Sequence, residues 1–495
     1  MNRALRRISL ACLVMFVMLL VNANYVQAFE PNSLAGKPGN GRTFSQQFQY
    51  QRGSIVTADN KTIAESVPVK GIYKYQRFYP QGPAYAAVTG FDSIFSATGI
   101  EQAEDQVLSG SDPALAVHNL LDLVSGKPKR GATVQLTINS AAQQAAYAGL
   151  KAMGLPGGVV ALDPRTGAVL ALASYPSFDP NQLATFDGTA LNKVDKQLLA
   201  APNQPLVNKA INQTFPPGST FKIVTSSTAF STGRYNPNSR VFAPTSLKLP
   251  DTTNRLINFD GEGCNDGSNP TGNGTVPIIW AFTVSCNTVF GNLGMQLGGG
   301  ALRAQASKFG MNNPNLTIPV PTAQSNYPPV SAAALTAYSA IGQFSDTVTP
   351  LQEAMFSAAI ANNGTLMKPY MVQKVTAPDL TPLETANPAT LSQTVTPAVA
   401  AQVKTMMINV VQSPAGTAHA AANIGNLDIA GKTGTAQNGI NNTGLDDAVF
   451  TGFAPANNPQ IAVGVIVKGG GQGADASAPI AVKVIQAYLA SQAKQ

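Results

Sequence analysis

Three short motifs hold the residue types that acyl transfer needs: Ser219 with Lys222, Ser285 with Asn287, and the run Lys432-Thr433-Gly434-Thr435. Ser219 stands in Pro216-Pro217-Gly218-Ser219-Thr220-Phe221-Lys222, where two prolines and a glycine fit a loop handing over to a helix that Ser219 is predicted to open. Helical positions three apart share a face, so the Lys222 amine reaches the Ser219 hydroxyl. A serine hydroxyl is a poor nucleophile until a base takes its proton, and an amine serves as that base only when its pKa is lowered. Burial and a nearby cation lower it, and Lys432 is the candidate cation. Ser285 is placed to pass a proton to a leaving amine, while Asn287, donor and acceptor at once, can orient Lys222 and hold a peptide amide. The run from Lys432 to Thr435 reads as a strand whose central glycine lets another backbone approach. Such an edge binds an extended peptide, with Lys432, Thr433 and Thr435 receiving a terminal carboxylate. The backbone N–H groups of Ser219 and Thr435 are the expected oxyanion hole.

Each motif alone is weak. Ser-x-x-Lys recurs by chance, as at Ser491 and Lys494; Ser285-Cys286-Asn287 alone reads as a polar cap, and Lys432 to Thr435 as an exposed strand. Their weight comes from the set and its order. The two histidines, His118 and His419, stand far apart without clustered cysteine or carboxylate, so neither a catalytic metal nor a cofactor is expected. No basic run with interleaved aromatics supports nucleic-acid binding.

A scaffold must position these residues, and its first segment points to export. Arg3, Arg6 and Arg7 precede an apolar stretch from Ile8 to Phe29, about 22 positions, close to the roughly 20 that span a bilayer. A membrane anchor is the expectation, with a cleaved signal ending near Val26-Gln27-Ala28 as the alternative. Either places the rest of the chain outside the cytoplasm, and with seven residues ahead of the apolar segment no cytoplasmic signalling domain is expected. Outside that segment only Cys264 and Cys286 remain. They form either one bridge, closing a loop of about 23 residues worth on the order of 3 kcal/mol and bracing Ser285 and Asn287, or two buried thiols.

The 495 residues suggest two or three domains. With 44% apolar and 12% charged residues the chain has material for a large core, and its +7 charge suits anionic wall polymers only weakly, because three arginines belong to the apolar segment's flank. Residues Pro31 to about Arg130 read as a small mixed module ending in a basic linker, Gly126-Lys127-Pro128-Lys129-Arg130. Thr133 to Ile138 alternates like a strand, and Gly158–Leu162 with Ala168–Ala173 flank a Pro and Gly turn as a hairpin. Helices are predicted over Ser331–Gln343, Leu351–Asn362 and Val399–Val411, then a buried strand over Ile461–Val467 and a closing helix from Pro479 to about Ala493. A sheet of early and late strands with helices between gives an α+β fold. Its predicted divisions are 1–29 (cytoplasmic tip and anchor), 30–152 (non-catalytic module) and 153–495 (catalytic domain).

The three motifs in this order resemble the penicilloyl serine transferase superfamily of penicillin-binding proteins and β-lactamases. Arg52-Gly53-Ser54-Ile55, Gly99-Ile100-Glu101, Leu162-Asp163-Pro164-Arg165-Thr166-Gly167, Thr349-Pro350-Leu351-Gln352 and Thr451-Gly452-Phe453-Ala454-Pro455 extend the likeness over nearly the whole exported chain. With the short anchor, they resemble the monofunctional class B enzymes, most closely the actinobacterial penicillin-binding protein A group. The resemblance implies a transpeptidase-like domain, an antiparallel sheet flanked by helices, that cross-links peptidoglycan stem peptides. Ser219 would attack a D-Ala-D-Ala carbonyl, and β-lactams would acylate the same serine. It also implies partners among cell-wall synthesis proteins in growth or division. Ile341-Gly342-Gln343-Phe344 departs from it, since many relatives carry a second glycine at the Phe344 position, and Cys286 is variable there. A D,D-carboxypeptidase shares the chemistry. A β-lactamase adds a base for deacylation, for which Glu262 is the candidate, although its glycine neighbours favour a plain turn. The non-enzyme alternatives are a β-lactam sensor and a catalytically silent cell-wall scaffold.

Overall fold

The computed structural model describes residues 3–29, 47–115, 128–261, 263–264, 274–437 and 444–493. The apolar N-terminal stretch forms one helix, α1 (Arg3–Phe29). Its segment Arg6–Tyr25, with mean hydropathy 2.0 and no burial against the rest of the chain, is long and apolar enough to cross a membrane. After it come β1 (Ile55–Val56), β2 (Thr62–Pro68), β3 (Tyr75–Phe78) and β4 (Thr133–Leu136), then α2 (Ser140–Met153), the hairpin β5 (Gly157–Leu162) and β6 (Val169–Tyr175). The middle of the chain holds α3 (Lys222–Ser231), α4 (Ile278–Thr283), α5 (Asn287–Leu297), α6 (Ala333–Ser339) and α7 (Pro350–Ala361). It closes with β7 (Val372–Thr376), β8 (Pro382–Thr385), α8 (Pro397–Gln412), β9 (Ala430–Ala436), β10 (Asp447–Ala454), β11 (Ile461–Val467) and α9 (Ser477–Gln492).

The core is an antiparallel five-stranded sheet in the order β9-β10-β11-β5-β6. Both faces are covered, which is why β5, β10 and β11 are buried along their entire length and β5 and β11 read as unbroken small and apolar runs. On one face lies α7, a helix buried at all twelve positions and started by Thr349, whose side chain accepts from Gln352 N, with Pro350 in the first turn. On the other lie α2 and α9, close enough that a Cβ on Gly149 would sit 2.9 Å from Ile480 Cγ2. Helix α8 starts in the same way as α7, at Thr396 and Pro397, and buries the stripe Val399, Val403, Met406 and Val410.

A second sheet runs β8-β7-β4-β1-β2-β3. It joins strands from the two ends of the chain: β7 pairs antiparallel with β4 (Val375 opposite Val134), and β4 parallel with β1 (Ile55 opposite Val134). A buried ionic cluster fixes the early strands, with Glu101 accepting from Arg52 Nε at 2.7 Å and Arg77 Nε at 2.6 Å.

Element ends shift by a few residues from the sequence expectations, as where the closing helix spans Ser477–Gln492 and α8 begins at Pro397, and three shifts bear on the site or the module. The end of the predicted linker is built into the module: Arg130 bridges Gln51, and Gly131 N donates to Gln51 O at 2.9 Å, because β4 must enter beside β1. Helix α6 stops at Ser339 rather than Gln343, since the chain there turns to meet the Ser219 segment. The predicted Leu351–Asn362 helix starts one residue earlier at the proline and ends at Ala361. His118, Glu262 and Lys494 lie outside the described residues.

Candidate active site

The Ser219 segment forms a 3-10 turn, Gly218–Phe221, that runs into α3 at Lys222. Ser219 therefore sits in a turn of tighter winding rather than opening the α-helix itself. Tertiary packing on both sides sets that geometry. Gly218 has φ 56° and lies against the edge strand, where a Cβ would fall 2.9 Å from Thr435 O. Its N–H donates to Gly342 O at 2.9 Å, and Gly342, at φ 75°, presses so close that a Cβ would meet Gly218 O at 2.0 Å.

Ser285 is placed by the end of α4. Cys286 N donates to Ala281 O at 2.7 Å and Ser285 N to Phe282 O at 3.2 Å, the paired bonds that close a helix with a left-handed residue. Ser285 is that residue, at φ 61°, in a position where glycine is usual. Asn287 then opens α5, whose first N–H groups are capped from elsewhere in the chain: Asn258 Oδ1 accepts from Asn287 N at 2.8 Å and Thr288 N at 3.0 Å. Cys264 and Cys286 are disulfide-bonded, with Cα atoms 5.8 Å apart, which ties the segment after Asn258 to the same helix start.

These elements bring five predicted side chains to one place. Lys222 Nζ lies 3.0 Å from Ser219 Oγ, 2.8 Å from Asn287 Oδ1, 2.7 Å from Ser285 O and 3.2 Å from Ser285 Oγ. Lys432 Nζ reaches the same Ser285 Oγ at 2.9 Å and its neighbour's carbonyl, Thr433 O, at 2.9 Å. Both lysines are fully buried, whereas Ser219, Ser285, Asn287 and Thr435 are partly exposed, so the hydroxyls line an opening above two hidden amines. Phe290 and Phe282 close the floor, each ring centroid 5.6 Å from Nζ of Lys222 and Lys432 respectively.

Burial, followed by repulsion from the Lys432 ammonium, pushes the Lys222 amine well below its ordinary range. Burial alone brings Lys432 down to about 7. A neutral Lys222 amine has two hydrogens, and two acceptor-only oxygens, Ser285 O and Asn287 Oδ1, take them. Its lone pair is left facing the Ser219 hydroxyl. The arrangement fits proton abstraction from a serine oxygen.

Thr433, Gly434 and Thr435 lie on β9, which pairs with β10 on one side and forms an edge of the sheet on the other. Thr433 Oγ1 is hydrogen-bonded to Thr417 Oγ1 at 2.6 Å, an unforeseen contact from the loop after α8. Asn258 and Thr417 went unnoticed in the sequence because neither belongs to a motif, and Asn258 acts on residues 29 and 30 positions away. His419 lies nearby in sequence but bonds through Nδ1 to Val411 O at 3.0 Å, and Ser491 is held in α9 by Tyr488 O at 2.6 Å; neither joins the cluster.

Known proteins resemble the chain over most of its length. Residues 157–486 match the penicillin binding protein transpeptidase domain, and residues 52–134 the penicillin binding protein A dimerisation domain. Over 500 aligned residues, covering 99% of both chains, the sequence is 40% identical to the peptidoglycan D,D-transpeptidase PbpA of Mycolicibacterium smegmatis. It is 38% identical to the Mycobacterium tuberculosis protein of that name over the same share of each chain. The structure resembles the ceftriaxone acyl-enzyme complex of penicillin-binding protein A from M. tuberculosis, with TM-score 0.85 and 36% identity over 90% of this chain and 100% of that one. The penicillin G acyl-enzyme complex of the same protein gives TM-score 0.83 and 36% identity, covering 89% of this chain and 100% of that one.

Proposed function

The chain belongs to the penicillin-binding protein transpeptidase family, and from that membership we propose how its own residues carry out the serine D,D-transpeptidase reaction of peptidoglycan cross-linking. The observation behind the assignment is the convergence on one amine: Ser219 Oγ, Ser285 Oγ and Asn287 Oδ1 all lie within 3.2 Å of Lys222 Nζ. Neutral Lys222 takes the Ser219 proton as Oγ attacks the carbonyl of the penultimate residue of a D-Ala-D-Ala stem. The N–H groups of Ser219 and Thr435 hold the oxyanion. Ser285, linked to both lysines, delivers a proton to the departing D-alanine nitrogen and is refilled from Lys222. An amine of a neighbouring stem then attacks the acyl-enzyme and loses a proton to the same relay, forming the new amide and freeing Ser219.

Lys432, Thr433 and Thr435 receive the stem carboxylate, Gly434 lets the extended peptide lie against β9, and Asn287 holds its amide. β-Lactams enter by the same route. In this reading residues 153–495 are the catalytic domain and residues 30–152 the non-catalytic module, offered to other cell-wall synthesis proteins. Residues 1–29 are a single-pass anchor with its arginines in the cytoplasm and the active site outside.

A fluorescent penicillin tests the nucleophile: Ser219→Ala abolishes labelling, and labelling that survives the substitution overturns the assignment. Mass spectrometry of products from a stem-peptide donor tests the reaction. A cross-linked amide formed only when an acceptor amine is present supports transpeptidation, whereas hydrolysed donor as the sole product supports the carboxypeptidase alternative.

A further inference from the structure

Directly behind the Ser219 turn lies a carboxyl group with no motif and no part in the chemistry above. Glu353, in the fully buried helix α7, has no solvent exposure. It is the one charged residue type on that helix, and no cation pairs with it among the described residues. Its Oε1 lies 2.8 Å from Thr220 Oγ1, next in sequence to Ser219, and its Oε2 has no hydrogen-bond partner among the described residues.

The Thr220 hydroxyl also lies 2.8 Å from Pro217 O, at the start of the same turn. A hydroxyl has one hydrogen, and a carbonyl can only accept. If Glu353 were a carboxylate, Thr220 would face two acceptors with one hydrogen, and one of the two 2.8 Å contacts would set oxygen lone pairs against each other. A carboxylic acid resolves both: it donates to Thr220 Oγ1, which donates to Pro217 O. The acid also leaves Oε2 as a neutral carbonyl, far cheaper to bury without a partner than half of a carboxylate.

We propose that Glu353 is a positioning residue that stays protonated and, through Thr220, clamps the 3-10 turn presenting Ser219 to Lys222. The inference rests on the reading of Ser219 as nucleophile. The clamp spans the domain: Thr220 touches α7 on one side, and on the other its Cγ2 would lie 3.2 Å from a Cβ on Gly434 of β9. Burial also pushes the Glu353 carboxyl up to about 8, opposed by the Thr220 hydrogen bond. The elements packed on α7 bring no charge to neutralise it: β5 and β11 hold no titratable residue, the strand Thr365–Met367 none. Asp447 of β10 accepts from Gly469 N at the far end of its strand, and Lys404 of α8 reaches toward Ala456 O. Across the turn, Lys222 and Lys432 direct their amines to Ser285.

The test uses the full-length chain in detergent and two variants. Glu353→Gln keeps a donor at the same reach and cannot ionise, whereas Glu353→Met keeps the length and loses the donor. At neutral pH the penicillin acylation constant of Glu353→Gln stays within about threefold of wild type, and that of Glu353→Met falls by about tenfold, the weight of one lost buried hydrogen bond. Above pH 8 the wild type loses rate relative to Glu353→Gln, because only the wild type can lose the proton. Infrared difference spectra show the carbonyl stretch of a buried carboxylic acid that disappears in Glu353→Gln. The inference is overturned if Glu353→Gln is as impaired as Glu353→Met, or if the wild-type to Gln ratio is flat across pH and no acid band is lost. Should the Met variant fail to fold, the pH ratio and the infrared band decide alone. Labelling that persists in Ser219→Ala would instead sink the nucleophile reading, so the two failures are distinguishable.

Discussion

Replacing Lys432 with Met removes one of two buried amines and leaves a side chain of similar length. The Lys222 and Lys432 nitrogens reach Ser285 Oγ from 3.2 and 2.9 Å, which bounds their separation at about 6 Å. Two unit charges that far apart repel by roughly 3 kcal/mol at an effective dielectric constant of about 20, equivalent to about two pH units. The repulsion disfavours protonated Lys222, so removing it raises the Lys222 pKa. If neutral Lys222 is the base, the acid limb of the acylation rate lies where that amine loses its proton. In Lys432→Met the limb moves to higher pH by about two pH units, and at pH values below both limbs the variant is slower by about a hundredfold. Since burial takes Lys432 itself to about 7, the repulsion acts in full only below that pH. Any loss from a missing carboxylate anchor lowers the whole profile without moving the limb. The measurement is the second-order rate of fluorescent penicillin acylation across acid and neutral pH, on protein shown by circular dichroism to be folded. A limb that stays in place, or moves to lower pH, refutes the reasoning.

Gly342→Ala places a Cβ 2.0 Å from Gly218 O in a left-handed conformation, so it should lower the melting temperature, at a cost of at least about 1–2 kcal/mol, and slow acylation by displacing the Ser219 turn. Wild-type melting and labelling would show that the close approach is relaxed without consequence. Cys264→Ser with Cys286→Ser opens a loop with a sequence separation of 22 and should reduce unfolding free energy in denaturant by about 3 kcal/mol. It should also weaken labelling, because the bond braces the start of α5 beside Ser285 and Asn287.

What the sequence conveyed depended on whether a signal was local. Strand β11 was predicted residue for residue, because a sheet covered on both faces selects an unbroken apolar run. The buried stripe of α8 was equally local, although the helix starts at Pro397, two residues before the predicted Val399. The side chains that meet around Lys222 were legible because the proposed chemistry demands particular residue types, although nothing in the spacing shows that residues 219, 285 and 432 meet. Long-range contacts were hidden. The early end of α6 answers to Gly218, well over a hundred positions earlier in the chain. Asn258 caps a helix it precedes by 29 residues. Glu353 looks like an outward-facing residue on an apolar helix, and only the packing of α7 against the sheet puts it inside. Ser285 occupies a left-handed position where glycine would have been the sign of a turn.

The pairing of β7 with β4 has a consequence for how the chain is made. Some 240 residues separate the two strands, a stretch that takes roughly 10 to 50 s to synthesise. During that time one flank of β4 is without its neighbour. The early strands therefore cannot complete their sheet until β7 is made, and a nonsense mutation between codons 137 and 371 strands them with an open, adhesive border.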